Sequence, residues 1–143
     1  MEQALPAVYV ARHGETAWSL TGQHTGRTDI PLTVRGERHA LGLQQRLAGV
    51  VFGKILVSPR TRARRTAELA GFGAQAEVDP DLQEWDYGQY EGRRTADIHK
   101  ERPAWSLFRD GCPGGESVEA IGERADRVIG RLRVLEGEMS HRC

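Results

Sequence analysis

Arg12-His13-Gly14-Glu15-Thr16 is the stretch of this chain best equipped for chemistry. It follows Val8-Tyr9-Val10-Ala11, a short apolar run that reads as a buried strand. An arginine and a histidine therefore stand together at a strand's carboxyl end, where open α/β sheets bind ligands. A guanidinium can grip a phosphate with two parallel hydrogen bonds. A neutral imidazole has one ring nitrogen with a free lone pair, which can attack phosphorus when a partner holds the other nitrogen. Gly14 leaves room for a phosphate and permits unusual backbone angles. Alone, the triplet would also fit an ordinary surface turn.

Two further segments supply the parts that such chemistry needs. Ser58-Pro59-Arg60-Thr61-Arg62-Ala63 follows a second apolar run and opens a helix. It offers another arginine at another strand end, beside a helix N-terminus that favours anions. Leu82-Gln83-Glu84-Trp85-Asp86-Tyr87-Gly88 puts a carboxyl among aromatic residues. Desolvation there, together with a nearby phosphate dianion, would raise its pKa, as a general acid requires.

The elements that must position these residues alternate along the chain. Val8 to Ala11 and Lys54 to Pro59 read as strands, and Ala76 to Asp79 as a third, shorter one. Leu32 to Gly49 reads as a helix with Thr33 as N-cap and Gly49 as stop, and a second helix runs from about Pro59 to Ala70. This order predicts an α/β fold with a mainly parallel sheet, helices covering both faces. The second half is more loop-like. Thr95 to Glu101 reads as a short helix ended by Pro103, and Cys112-Pro113-Gly114-Gly115 as a turn. Glu116 to Leu135 is the clearest helix, with Val118, Ile121, Ala125, Val128, Ile129, Leu132 and Leu135 forming one apolar stripe.

Read in order, these segments resemble the histidine phosphatase superfamily, the phosphoglycerate mutase-like group. Arg12 to Trp18 is similar to its signature motif. Thr25-Gly26 with Asp29-Ile30-Pro31-Leu32-Thr33, then Ser58-Pro59 with Arg62-Ala63 and Thr66-Ala67, follow as in that family. Glu84, Gly88 and Glu91-Gly92 resemble its general-acid segment, and Gly115-Glu116-Ser117 a later element. The resemblance implies His13 as a nucleophile forming a phosphohistidine, Arg12 and Arg62 as holders of the phosphoryl oxygens, and Glu84 as general acid and then base. It implies that Gly14, Ser19, Thr25, Gly26 and Tyr87 lie at the substrate, a small phosphorylated metabolite. No metal and no cofactor are expected, because the arginines supply the positive charge.

Departures from the mutase branch favour a phosphatase, with a phosphoglycerate mutase as the alternative. Ser19 stands where mutases commonly carry asparagine, Arg27 where they carry tryptophan, and the stretch from Arg93 to Gly114 is short. His24 is a candidate for the substrate mouth or for a solvated loop. The family continues with a buried strand ending in a second histidine. Ser140-His141-Arg142 resembles that element only superficially, since Glu136-Gly137-Glu138-Met139 is no buried strand and Arg142 replaces the glycine. Residues 1–143 thus read as a single domain, incomplete at its C-terminus, in which the missing histidine would weaken catalysis and leave a phosphoanion-binding domain as a further reading. An uncovered apolar stripe could also drive homo-oligomerisation.

Composition narrows the rest. The 143 residues carry 20 cations and 20 anions, which argues against a dedicated nucleic-acid binder. Arginine dominates the cations, with Lys54 and Lys100 the lysines, and the densest run, Arg60, Arg62, Arg64 and Arg65, cannot all face one way on a helix. No run is long and apolar enough for a membrane span, and the N-terminus has no signal-peptide pattern. Cys112 and Cys143 make no CxxC pair and no disulfide framework, so a cytoplasmic setting is expected. Other phosphotransfer chemistries fit poorly. Val118 stands where a cysteine-phosphatase loop from Cys112 would place arginine, and Asp79-Pro80-Asp81 reads as a turn with a helix cap. No Gly-x-x-x-x-Gly-Lys-Ser/Thr loop occurs, and the histidines are too scattered for a metal cluster.

Overall fold

The computed structural model describes residues 5–135. Its elements run α1 (Ala17–Thr21), α2 (Val34–Arg46), β1 (Ile55–Val57), α3 (Thr61–Leu69), β2 (Ala76–Val78), α4 (Thr95–Glu101), α5 (Leu107–Asp110) and α6 (Val118–Arg133). Short 3₁₀ turns occupy Pro80–Leu82 and Gly88–Tyr90. β1 and β2 pair in parallel, Ile55 opposite Ala76 and Val57 opposite Val78, with α3 as the crossover. The fold is therefore mixed α/β with a small parallel sheet.

Helix starts follow local chemistry. Thr33 caps α2 by accepting the Gly36 N–H, and Ser117 caps α6 by accepting the Ala120 N–H. The α1 helix, absent from the sequence reading, opens with a reciprocal box in which Thr16 and Ser19 satisfy each other's backbone N–H groups. Its signal was present in the Thr16 and Ser19 spacing. Asp79 accepts the Asp81 N–H and starts the 3₁₀ turn, so the cap reading of Asp79-Pro80-Asp81 holds. Both carboxylates also bind arginines of α6: Asp79 pairs with Arg131, and Asp81 with Arg127 and Arg131, at 2.7–3.0 Å. Hydrogen bonds from Arg127 hold the Asp81 carboxyl down at about 2, against a smaller opposing effect of desolvation.

One expectation is corrected. Val8 to Ala11 forms no strand: Val10 is 92 % exposed, and no described residue supplies it a ladder partner. An apolar run becomes a strand only when neighbours take up its backbone groups. Tyr9 instead meets Phe52 edge-to-face at 5.2 Å, and Phe52 meets Phe72 at 5.5 Å. The buried hydrophobic cluster lies in the second half of the chain, where Trp85, Tyr87, Tyr90, Ile98, Trp105 and Cys112 pack together. Aromatic rings bury large areas without needing regular secondary structure around them. The α6 stripe contributes Val118 and Ile121 to that cluster, while Ile129 is half exposed.

Cys112 is a free thiol inside this cluster, and burial pushes its pKa up to about 11. At neutral pH it should react with a thiol-specific disulfide reagent far more slowly than an exposed thiol, since the thiolate is the nucleophile. Guanidinium should restore the ordinary rate. Rapid labelling of Cys112 in the folded protein would contradict this packing.

Candidate active site

Arg12, His13, Ser19, His24, Thr25, Arg62, Glu84 and Tyr87 line one cavity of ≈ 890 Å³. Its lining is mixed, and Val8, Tyr9, Phe52, Phe72, Val128 and Leu132 are among its apolar members.

His13 is half-buried, and its Nδ1 lies 2.7 Å from the Gly14 carbonyl oxygen. A carbonyl only accepts, so Nδ1 carries the proton and Nε2 keeps its lone pair. Burial lowers the ring's pKa. The Gly14 bond opposes this, the Arg62 and Arg12 charges add to it, and Glu84 opposes it again. An NMR titration of the His13 ring should therefore find a midpoint below its ordinary value of 6.5. A midpoint above that value would mean that the ring is less buried than the structure puts it.

Arg62 is 2 % exposed, on the first turn of α3. Its guanidinium donates to the carbonyls of Thr28 (3.1 Å), Thr25 (3.1 Å) and Gly26 (2.9 Å). Burial lowers its pKa, Glu84 and Asp29 oppose this, and an arginine in this setting stays charged. The carbonyl-bearing loop is itself held from the other side. Glu91 Oε1 accepts the Gly26 N–H at 2.8 Å and the Thr28 N–H at 2.7 Å. Arg12 and Glu84 line the cavity and are exposed. The expectation that aromatic neighbours desolvate Glu84 is thus corrected: Trp85 and Tyr87 turn into the core, while Glu84, between and beside them, turns outward and accepts the Trp85 N–H at 2.8 Å.

Several motif residues do work that the sequence reading left unassigned. The α3 helix has no side-chain cap of its own. Asp29, from the loop after Gly26, accepts the Thr61 N–H at 2.9 Å and the Thr61 hydroxyl at 2.7 Å. Desolvation pushes the Asp29 pKa up, but the Thr61 bonds and the Arg60 and Arg62 charges outweigh it, and the net shift is downward. Thr66, one turn beyond Arg62, donates to the Arg62 carbonyl at 2.7 Å and accepts the Gly14 N–H at 3.0 Å. The His13 loop and the Arg62 helix are thereby pinned to each other. Distance along the chain hid these links.

The glycines act differently from expectation. Gly14 and Gly26 are not on the cavity wall, and Gly14 has no positive φ. A Cβ on Gly14 would lie 2.5 Å from the Gly36 carbonyl oxygen of α2. Close approach of two backbones, rather than room for a ligand, requires glycine there. Gly14→Ala should lower the melting temperature by the equivalent of about 1–3 kcal/mol, the usual cost of overpacking. A melt like the parent's would show that α2 can retreat freely. Gly26 is buried against the Trp85 carbonyl. Ser19 lines the cavity, yet its hydroxyl is already engaged in the α1 cap. Thr25 likewise donates its hydroxyl to the Gln23 carbonyl. His24 does line the cavity, stacked on Tyr87 with centroids 4.7 Å apart, and burial lowers its pKa against the opposing Glu91 and Glu84 charges. Burial also raises the Tyr87 pKa, so its hydroxyl stays protonated. In the arginine run, Arg62 is buried and Arg60 half-buried, while Arg64 and Arg65 face solvent. His141 lies outside the described residues. Among the described residues no helix is long and apolar enough to cross a membrane.

The chain is similar to known proteins in sequence and in fold. The chain is 44 % identical to an acid phosphatase of Mycobacterium tuberculosis over 82 % of its own length and 59 % of the relative's. It is 39 % identical to a sedoheptulose 1,7-bisphosphatase of Saccharomyces cerevisiae, covering 94 % of this chain and 58 % of that one. A solved Mycobacterium tuberculosis structure superposes with a TM-score of 0.78 at 42 % identity, over 83 % of this chain and 62 % of the other. A putative α-ribazole-5′-phosphate phosphatase of Escherichia coli gives 0.74 at 32 % identity, over 90 % and 66 %. The chain thus spans about three-fifths of the curated relatives' length. Residues 8–140 match the family model, and the chain belongs to the histidine phosphatase superfamily (branch 1).

Proposed function

We propose that this protein hydrolyses small phosphate monoesters through a phosphohistidine. One observation carries the reading: the Gly14 carbonyl holds Nδ1–H of His13, leaving Nε2 as a lone-pair donor in a cavity that also contains two arginines. Nε2 attacks phosphorus while the ester P–O bond breaks. Glu84 gives its proton to the departing alkoxide. Water then attacks the phosphohistidine, Glu84 takes its proton, the P–N bond breaks, and inorganic phosphate leaves with His13 restored. Arg12 and Arg62 offset the charge that develops on the phosphoryl oxygens. This chemistry needs no metal and no cofactor.

The named activities of the relatives support a phosphatase, and sugar phosphates are the first substrates to try, given the yeast bisphosphatase. A mutase is the second reading, supported by a probable phosphoglycerate mutase of Cronobacter sakazakii that is 37 % identical. Incubation with a phosphoglycerate separates them. Release of inorganic phosphate supports the hydrolase, and isomerisation without release supports the mutase. No reaction with any phosphate ester, combined with retained phosphate binding, would leave only an anion-binding domain. The free buried thiol of Cys112 suits a reducing, cytoplasmic setting.

A further inference from the structure

Glu84 sits in a stretch, residues 83–87, that belongs to no helix or strand. A general acid must nevertheless be held within hydrogen-bond reach of one leaving oxygen. The ion pair of Glu116 and Arg124 surrounds this stretch, with the two side chains 16 % and 13 % exposed. Arg124 Nη1 donates to the carbonyls of Asp81, at 2.9 Å, and Gln83, and Nη2 reaches the Glu84 carbonyl at 3.4 Å. The same guanidinium meets Glu116 through Nε at 3.2 Å and through Nη2 at 3.0 Å to each oxygen. On the far side of Glu84, the Glu116 carboxylate accepts the Asp86 N–H at 3.1 Å. The Glu116 main chain completes the grip: its N–H donates to the Asp86 carbonyl at 2.9 Å, and its carbonyl accepts the Trp85 indole N–H at 3.0 Å.

We propose that Glu116 and Arg124 are positioning residues for the Glu84 carboxyl, one ion pair gripping the backbone on both sides of it. The proposal rests on the phosphomonoesterase reading. A solvent-exposed ion pair would be worth little. This one is largely removed from water, and its donors are used on backbone carbonyls as well as on the carboxylate, so its geometry is over-determined. Neither residue lines the cavity. Their effect on the reaction passes through Glu84, and it concerns proton delivery to the leaving group rather than phosphate binding.

That distinction can be measured. An alkoxide leaving group needs the proton; a nitrophenolate leaves without it. The constant kcat/KM reports events only through departure of the leaving group, so hydrolysis of the phosphohistidine does not obscure the comparison. Arg124→Met should lower kcat/KM for glycerol phosphate by about 10²-fold more than for p-nitrophenyl phosphate, the lower end of what general acid catalysis supplies. Removing one partner of a buried pair can unfold a protein. The double variant E116Q/R124M removes both charges together and should show the same selective loss while melting as one cooperative unit. Equal losses on both esters, or no loss, would overturn the proposal. If the unsubstituted protein hydrolyses neither ester, the phosphatase reading fails by itself. Hydrogen exchange then decides whether the clamp exists: faster exchange at the Trp85 and Asp86 amides in R124M, with α4 unchanged, supports it, and unchanged exchange refutes it.

Discussion

Alanine at position 13 is expected to abolish phosphatase turnover while leaving the protein folded. On the proposed mechanism His13 supplies the atom that bonds to phosphorus, so its loss removes the covalent route, and losses of about 10⁴–10⁶-fold accompany removal of members of a covalent catalytic unit. The fold should survive, because the side-chain bond of His13 is local, to the carbonyl of the next residue. The positive counterpart is trapping. Brief exposure of the parent to labelled substrate, followed by an alkaline quench that preserves the acid-labile P–N bond, should place the label on His13. Label on another residue, or a His13→Ala variant with near-parent turnover, would remove the mechanism.

Truncation of Arg62 should cost both rate and stability. Losing a donor to the developing charge is worth about 2–4 kcal/mol, or roughly 30- to 1,000-fold in kcat/KM. The same change withdraws the donor shared by the Thr25, Gly26 and Thr28 carbonyls. Buried acceptors left unpaired cost about 1–3 kcal/mol each, less where water enters the space left behind. Arg62→Ala should therefore melt earlier than the parent as well as turn over more slowly. Arg62→Lys should not restore the rate, since a single ammonium cannot reproduce the planar spread of contacts. The exposed Arg64, two residues along the same helix, provides the control: Arg64→Ala should match the parent in both measurements. Near-normal kinetics for Arg62→Ala would contradict its placement at the phosphoryl group.

The two predictions separate the atom that reacts from the charge that stabilises. His13→Ala is expected to have little structural consequence. Arg62 differs, because the loop carrying Thr25 and Gly26 is folded around it and secured from behind by Glu91. The proposed catalytic role and the structural one are merged in that arginine, which is why melting and kinetics must be read together.

Much of this was legible from local sequence. The α4 helix lies where Thr95 to Glu101 predicts it, Thr33 and Ser117 cap their helices, and Ala76 to Val78 pairs as a strand. These features depend on residues a few positions apart, so propensity, capping and apolar spacing decide them. The ordered motifs likewise singled out Arg12, His13, Ser19, Thr25, Arg62, Glu84 and Tyr87, which line one cavity, because residue type fixes which groups can bind an anion or move a proton. Tertiary structure alone decided the remainder. It left Val8 to Ala11 unpaired, placed the core among the aromatic residues of the second half, turned Glu84 to solvent, and gave Gly14 a packing role against Gly36. It also joined Asp29 to Thr61, Thr66 to Gly14, and Arg124 to the backbone around Glu84. Each of those outcomes depends on which distant group takes a given hydrogen bond or fills a given space, and spacing along a chain carries no information about that choice.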